Sequence, residues 1–365
     1  AGIELHYLVQ EFQKLIGARL ETIYQPEPED FYLVFHVPSQ GKKMLRLVIG
    51  KCCYLTDERP TGIQPAPFCL FMRKHLESAK VKAIEQREGE RIIEFSFDRD
   101  GKRSLFVELF GKGNLVLCDS HAAIMGALHY QKFKDREIVP KALYKYPHLP
   151  INPYSCTSEE IGQLVKKTTL SLVKCLATEA GLGGTYAEEV CLRAGVEKNS
   201  LPLSLDAGQI KKVAAVLKEL TATKPQPQLI FQENEILAAS PFSLELFRSH
   251  ASRPCPTLSE AIGEFFTTSH QQAKKQSSKE KERDRLVRLL AIQEENLASL
   301  KAKEQDERSK GDIIFAHYPE LQSLLQGIQQ VVREKGWNEA ESVAAANKNM
   351  RRMNLKDKTI TLELD

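Results

Sequence analysis

The sequence predicts an α+β protein: an antiparallel, β-rich N-terminal domain, a small helical domain of helix-hairpin-helix type, and an antiparallel coiled-coil arm. Three observations carry this. Short apolar strand-like runs separated by turn residues fill the first third of the chain. Helix formers flank a glycine-dense stretch, LATEAGLGGTYAEEVCLRAG, from Leu176 to Gly195. Finally, His270 to Lys310 contains neither Pro nor Gly and sets charges of both signs around spaced leucines.

The elements follow in order. Leu5, Leu8, Val9, Phe12, Leu15 and Ile16 recur at helical spacing ahead of Gly17, so residues 4 to 16 are expected to form an amphipathic helix lying on a sheet. Strands are expected at Leu20 to Tyr24, Phe31 to Val37, Met44 to Ile49 and Tyr54 to Leu55. Pro60, Gly62, Pro65 and Pro67 bar regular structure from the following loop. PFCLFMRKHLESA then reads as a helix whose exposed side carries Arg73, Lys74 and His75. Four more strands are expected at Val81 to Gln86, Arg91 to Phe97, Ser104 to Leu109 and Asn114 to Cys118, with hairpin turns at Asp98-Arg99-Asp100-Gly101 and at Gly111 to Gly113.

Thr157 with Glu160, Asp206 with Gln209 and Thr257 with Glu260 have the spacing of capping boxes and open three helices. Leu229 to Leu237 and Phe242 to Phe247 read as a small strand excursion after a proline-bearing linker. In the arm, Leu286, Leu289, Leu290, Leu297 and Leu300 form one stripe and Leu321, Leu324, Leu325, Ile328, Val331 and Val332 another. Gly311 is expected to break the helix so that the two stripes pair antiparallel within the chain. Thr359 to Leu364 alternates like a strand and stops without a turn, as though the chain were cut there. The expected divisions are residues 1–150, a β-rich domain; 151–224, the helical domain; 225–265, a return segment; 266–340, the arm; and 341–365, the start of a truncated middle segment.

Composition narrows the function. Of 365 residues, 42% are hydrophobic and 27% charged, which fits a globular body with an exposed extension. The formal net charge of +3 means that any nucleic-acid footprint has to be local. No apolar run is long enough for a membrane span and no export signal is visible, so a cytoplasmic protein is expected. The eight cysteines show no CxxC pair and mostly sit in apolar patterns, so they read as reduced, mostly buried thiols. The histidines share no helical face at ligand spacing, so neither a metal site nor a cofactor is expected.

The glycine stretch is the first candidate site. A turn at Gly181-Leu182-Gly183-Gly184 would end one helix and open the next, leaving N–H groups at the start of the second uncovered by Cβ atoms and able to face a phosphate without reading sequence. Arg193 and Lys198 follow closely in the chain. A plain structural turn is the competing reading, and Tyr186 reads as a packed ring. Arg73-Lys74-His75 is either a solvated helix face or a phosphate contact.

Five separated motifs, in order along the chain, resemble the N-terminal half of the NFACT family of ribosome quality-control factors, known as RqcH in bacteria and NEMF in animals, with archaeal relatives. They are Ile16-Gly17-Ala18-Arg19 leading to Ile23-Tyr24-Gln25; Pro67-Phe68-Cys69 through Arg73-Lys74-His75-Leu76; VELFGKGNLVLCD from Val107 to Asp119; GLGGTYAEEVCLRAG from Gly181 to Gly195; and Ile314 to Leu325 in the arm.

This resemblance implies a non-enzymatic factor that binds large ribosomal subunits obstructed by peptidyl-tRNA, reaches along them with a coiled coil, and in many members recruits alanyl-tRNA for untemplated tailing. A ubiquitin ligase is an implied partner where the organism has one. Carried over by position, the tRNA-binding residues are Glu4, Glu90 and Arg91, to which Arg73 and Lys74 add charge; Gly181, Gly183, Gly184 and Arg193 form the phosphate-contact hairpin. Many members carry Asp where Glu4 and Glu90 stand, so each carboxylate here reaches one methylene further. No match to the family's second RNA-binding module is found.

Chemically, a guanidinium can fork onto phosphate or a guanine edge while a neighbouring carboxylate accepts from an amine or a ribose hydroxyl. Two other functions compete. The family's N-terminal domain is similar to that of formamidopyrimidine-type DNA glycosylases, but those use an N-terminal proline amine and a zinc finger, whereas this chain begins Ala1-Gly2 and has no C-terminal cysteine pairs. Some bacterial relatives were described as fibronectin-binding surface proteins, a role that the missing export signal disfavours.

Overall fold

The computed structural model describes the chain except for residues 61–65, 148, 338, 341–349, 355, 356, 358 and 365, and it divides into two units, Ala1–Ala273 and Lys274–Asp365.

The first unit is built on a nine-stranded antiparallel sheet. Its strands are β1 (Arg19–Glu27), β2 (Asp30–Val37), β3 (Gly41–Val48), β4 (Cys52–Thr56), β5 (Lys80–Gln86), β6 (Ile92–Asp98), β7 (Lys102–Glu108), β8 (Asn114–Cys118) and β9 (Ile124–Ala127), in the order β4-β3-β2-β1-β5-β6-β7-β8-β9. The β1–β5 junction is short, with Arg19 opposite Lys80, so the sheet folds into two halves over one core. Phe31, Leu33, Phe35, Leu45 and Leu47 from one half and Phe95, Phe97, Leu105 and Val107 from the other are almost fully buried there. The halves also meet at their turns, where a Cβ on Gly113 would fall 2.2 Å from the Gly50 nitrogen. A two-residue ribbon, β10 (Gln131–Lys132) with β11 (Glu137–Ile138), follows β9.

Helix α1 (Gly2–Phe12), continued by a 3₁₀ turn to Leu15, buries Leu5, Leu8, Val9, Phe12 and Leu15 of the expected stripe, while Ile16, past the turn, is exposed. Helix α2 (Pro67–Leu76) packs along β1 and presses Phe71 against Gly126 of β9. The helical part comprises α3 (Ser158–Lys167), α4 (Leu172–Thr178), α5 (Gly184–Ala194) and α6 (Ala207–Ala222). The capping boxes at Thr157/Glu160 and Asp206/Gln209 form as expected. Tyr7 Oη on α1 lies 2.7 Å from the carbonyls of both Leu220 and Thr223, which share its single O–H donor and tie the helical part to the sheet domain.

The return segment is a three-stranded sheet ordered β13 (Glu235–Ser240), β12 (Gln228–Gln232), β14 (Ala251–Pro254). A 3₁₀ turn replaces the strand expected at Phe242 to Phe247. Helix α7 (Leu258–Ala316) then begins on Glu11, whose carboxylate accepts from Leu258 N at 2.5 Å, Ser259 N at 3.1 Å and Ser259 Oγ at 2.7 Å. A carboxylate there pairs the first amides and opposes the positive end of the helix.

In the second unit α7 runs through Gly311, where a break was expected. One glycine costs a helix only about 1 kcal/mol, which its many other residues absorb. The turn comes at His317, before α8 (Tyr318–Lys335). The expected intrachain pairing of stripes is corrected as well: Leu286, Leu289, Leu290, Leu297 and Leu300 remain 53–63% exposed. The stripe of α8 instead packs Leu324, Ile328, Val331 and Val332 with Ala340, Met350 and Ile360, the last two from the ribbon β15 (Met350–Asn354) and β16 (Thr359–Leu362).

Candidate nucleic-acid interface

Three backbone segments far apart in sequence meet at the start of α1 through glycines. A Cβ on Gly2 would lie 2.7 Å from the Gly89 carbonyl oxygen and 3.1 Å from that of Gly181, so only glycine permits this approach. Gln86 stitches the contact: its Nε2 donates to the carbonyls of Gly2 at 3.0 Å and Glu90 at 2.8 Å and to Tyr154 Oη at 3.2 Å. The β5–β6 turn is thereby held against α1, with the glycine stretch alongside.

Beside this junction lies a cleft of about 180 Å³, lined by Glu4, Leu5 and Leu8 of α1, Gly50 to Cys53, Arg91, Leu109, Ala239, and Ile262 and Phe265 of α7. Ala1 also lines it; apolar side chains such as Leu5, Leu8, Leu109 and Phe265 are mixed with charged groups, Glu4, Lys51, Arg91 and the Ala1 amine. The Glu4 carboxylate accepts from the Ala1 nitrogen at the start of α1. Behind it Tyr186 is buried, its ring against Phe242, and that burial, with the Glu4 carboxylate beside it, holds the phenol protonated far above the ordinary tyrosine value.

Arg91 is exposed and Glu90 half-buried, so neither is sealed in a dry interior. Both precede β6, which starts at Ile92; Arg91 lines the cleft, and the charge acting most on the Glu90 carboxyl is Arg91 itself. Burial pushes the Glu90 carboxyl above its usual range, Arg91 and Arg136 oppose the rise, and Glu108 adds to it. Arg136 and Glu108 belong to a closed network in which Arg136 forks onto Glu108 at 2.6 and 3.2 Å and Tyr144 Oη donates to Glu108 at 2.8 Å.

At the glycine stretch, Gly181 and Gly183 take φ of 68° and 76°. The Gly183 N–H bonds the Ala177 carbonyl at 3.0 Å, and its carbonyl accepts from Ala187 N at 3.1 Å, so α5 begins at Gly184. A Cβ on Gly183 would sit 3.4 Å from that of Ala1, which places the start of α5 at the rim of the cleft.

The structure therefore brings Glu4, Glu90, Arg91, Gly181, Gly183 and Gly184 into one neighbourhood and leaves Arg193, Arg73 and Lys74 elsewhere. Arg193 lies at the far end of α5, bonded to Glu189 at 2.5 Å, Glu219 at 3.2 Å and the Ser243 carbonyl at 3.0 Å; the buried Glu189 also accepts from the backbone of Glu245 and Leu246. Its charge is spent inside the helical part. Arg73 donates to the Ile23 carbonyl at 2.6 Å and covers the Tyr24 ring, 5.4 Å from its centroid. Lys74, next to it, is exposed. Lys198 pairs with Glu188 at 3.0 Å.

Gly2, Gly89 and Lys51 are members of the site that the sequence reading passed over. Gly89 has a readable signal, a glycine in Arg87-Glu88-Gly89-Glu90 ahead of an apolar run, but its meeting with Gly2 has none. The cysteines are free thiols, and burial pushes Cys52, on the cleft wall, up to about 12. Among the described residues no cluster of His, Cys, Asp or Glu could hold a metal ion, and no helix is long and apolar enough to cross a membrane.

Residues 1–362 match the family model for NFACT N-terminal and middle domains. The chain is 31% identical over 366 residues to the archaeal Rqc2 homolog aRqcH of Methanocaldococcus jannaschii, covering 95% of this chain and 54% of that protein. It is 23% identical to the human ribosome quality control complex subunit NEMF, covering 92% of this chain and 34% of that one. The chain thus spans about half or less of these relatives' length. Among solved structures, the fibrinogen binding protein from Staphylococcus aureus superposes with a TM-score of 0.58 at 21% identity, over 73% of this chain and 98% of that one, which shows the same fold. With the family model matched along nearly its whole length, the chain belongs to the NFACT family.

Proposed function

We propose that this chain is the RNA-gripping part of a ribosome-associated quality-control factor. It binds large subunits obstructed by peptidyl-tRNA and recruits tRNA, of the alanine type by family resemblance, for untemplated tailing of the stalled chain. The observation that supports this most is the convergence of Glu4, Arg91 and Lys51 on one cleft, with Gly183, ahead of α5, beside Ala1 at its edge. A guanidinium and an ammonium suit phosphate and base edges, a carboxylate suits an amine or ribose hydroxyl, and the apolar lining residues suit a base or sugar face. No side chain in this reading makes or breaks a bond; peptidyl transfer belongs to the ribosome. The setting is cytoplasmic, and a ubiquitin ligase joins where the organism has one. Family membership, with relatives named for ribosome quality control, supports the same reading.

The test is co-sedimentation at low salt. The chain is expected to pellet with large subunits that carry peptidyl-tRNA and much less with emptied subunits; equal pelleting with both contradicts the reading.

A further inference from the structure

A second group of cations lies apart from the cleft, where the last turn of α2 meets the β6–β7 turn. Arg99 reaches from that turn to α2 and donates from Nη1 to the Lys74 carbonyl at 3.0 Å. Arg103, at the start of β7, donates from Nη1 only to the carbonyl of its neighbour Lys102 at 3.2 Å, and its buried Nε has no hydrogen-bond partner. His75 lies between them, packed on Phe71 at 4.8 Å. Burial lowers its pKa first, and Lys74, Arg103 and Arg99 lower it further, so all three cations stand close to one imidazole.

Elsewhere on this surface cations are commonly matched: Lys42 with Glu21, Lys82 with Asp98, Lys198 with Glu188, Arg253 with Glu264. Lys74, Arg99 and Arg103 belong to no ion pair among the described residues. Asp98 and Asp100 flank Arg99 in sequence; Asp98 is taken by Lys82 at 3.0 Å, and Asp119, on which Arg103 acts at longer range, is held by the backbone amides of His121 and Ala123. The C-terminus of α2 accounts for cations on α2 itself, since its last carbonyls attract them. It does not account for Arg103, which bonds none of those carbonyls.

We infer that Lys74, Arg99 and Arg103 form a second anion site that takes an RNA backbone phosphate, separate from the cleft at Glu4 and Arg91. Three cations outside any close ion pair, from α2 and the β6–β7 hairpin, make a compact charge that binds a phosphodiester without reading a base. This extends the proposed function by adding a contact that sets how RNA lies across the domain, and it rests on that reading only for the identity of the RNA.

The test uses the chain and an uncharged tRNA transcript without ribosomes, with anisotropy read across a KCl series. Arg99→Gln/Arg103→Gln is expected to weaken binding about tenfold at low salt and to flatten the slope of log affinity against log salt by about one to two ion equivalents. Arg99→Lys/Arg103→Lys should retain most of both, and equal melting temperatures for the two variants show that folding is intact. Wild-type affinity and slope in the glutamine variant overturn the inference. Failure of subunit co-sedimentation with this salt-dependent loss still present would remove the ribosomal reading and leave the phosphate site standing.

Discussion

Arg91 lines the cleft that also holds Glu4, while the carboxyl of its neighbour Glu90 is half-buried beside it, under the charge of Arg91 first and of Arg136 and Glu108 after it. The two side chains of the acid-arginine pair read from sequence thus differ in setting: the arginine is exposed in the cleft, and the glutamate is half-buried at the turn before β6.

Glu90→Gln follows from that difference. Because the folded-state pKa of Glu90 is raised, its contribution to stability is fullest below the unfolded-state value and is lost as pH rises through the folded one. Glu90→Gln should therefore melt higher than wild type at pH 7, with the gap closing as pH falls through the carboxylate range. Thermal melts at a series of pH values check this, and a gap that widens toward acid contradicts it.

The glycine junction gives a steric prediction. Gly89 has φ of +79°, and a Cβ there would lie 2.6 Å from Pro153. Gly89→Ala should cost about 1–3 kcal/mol from the combined strain and overpacking, measured by urea unfolding. Since that turn carries Arg91, tRNA affinity should fall as well.

The Arg136 and Glu108 side chains are 6% and 4% exposed. Arg136→Met alone strands a buried carboxylate and should destabilise by about 3–5 kcal/mol, while Arg136→Met with Glu108→Gln should recover much of that. A double-mutant cycle in which the two losses simply add would refute the coupling.

Glu11 holds the first amides of α7. Glu11→Ala should cost about 1–2 kcal/mol, the usual value of an N-terminal cap with its charge term. Hydrogen exchange should speed up first at Leu258 and Ser259, the two amides it pairs.

Much of this was legible in the sequence. The α1 stripe and eight of the nine main strands carry apolar periodicity of the right period, and the capping boxes at Thr157 and Asp206 form as spaced. β9 was missed because Gly126 interrupts a four-residue strand, and β14 because its residues are all exposed and show no alternation. Gly311 misled in the other direction, since a single glycine is a weak breaker within a long helix. For the site, family resemblance pointed to Glu4 and Arg91, and the glycine stretch was legible from its residues alone. Their meeting was not readable, because it depends on backbone contacts between Gly2, Gly89 and Gly181, residues with no side chain to form a pattern. Arg193 failed for the complementary reason: closeness in sequence put it beside the hairpin, and the rise of a helix carried it about 15 Å away.

The central claim is that Arg91 in the cleft grips tRNA. The most direct measurement is the amount of tRNA recovered with stalled large subunits when they are pulled down through wild-type chain and through Arg91→Glu. The account predicts that Arg91→Glu still brings down subunits at near wild-type yield while the recruited tRNA falls about tenfold or more. Wild-type tRNA recovery, or loss of subunits and tRNA together, would contradict it.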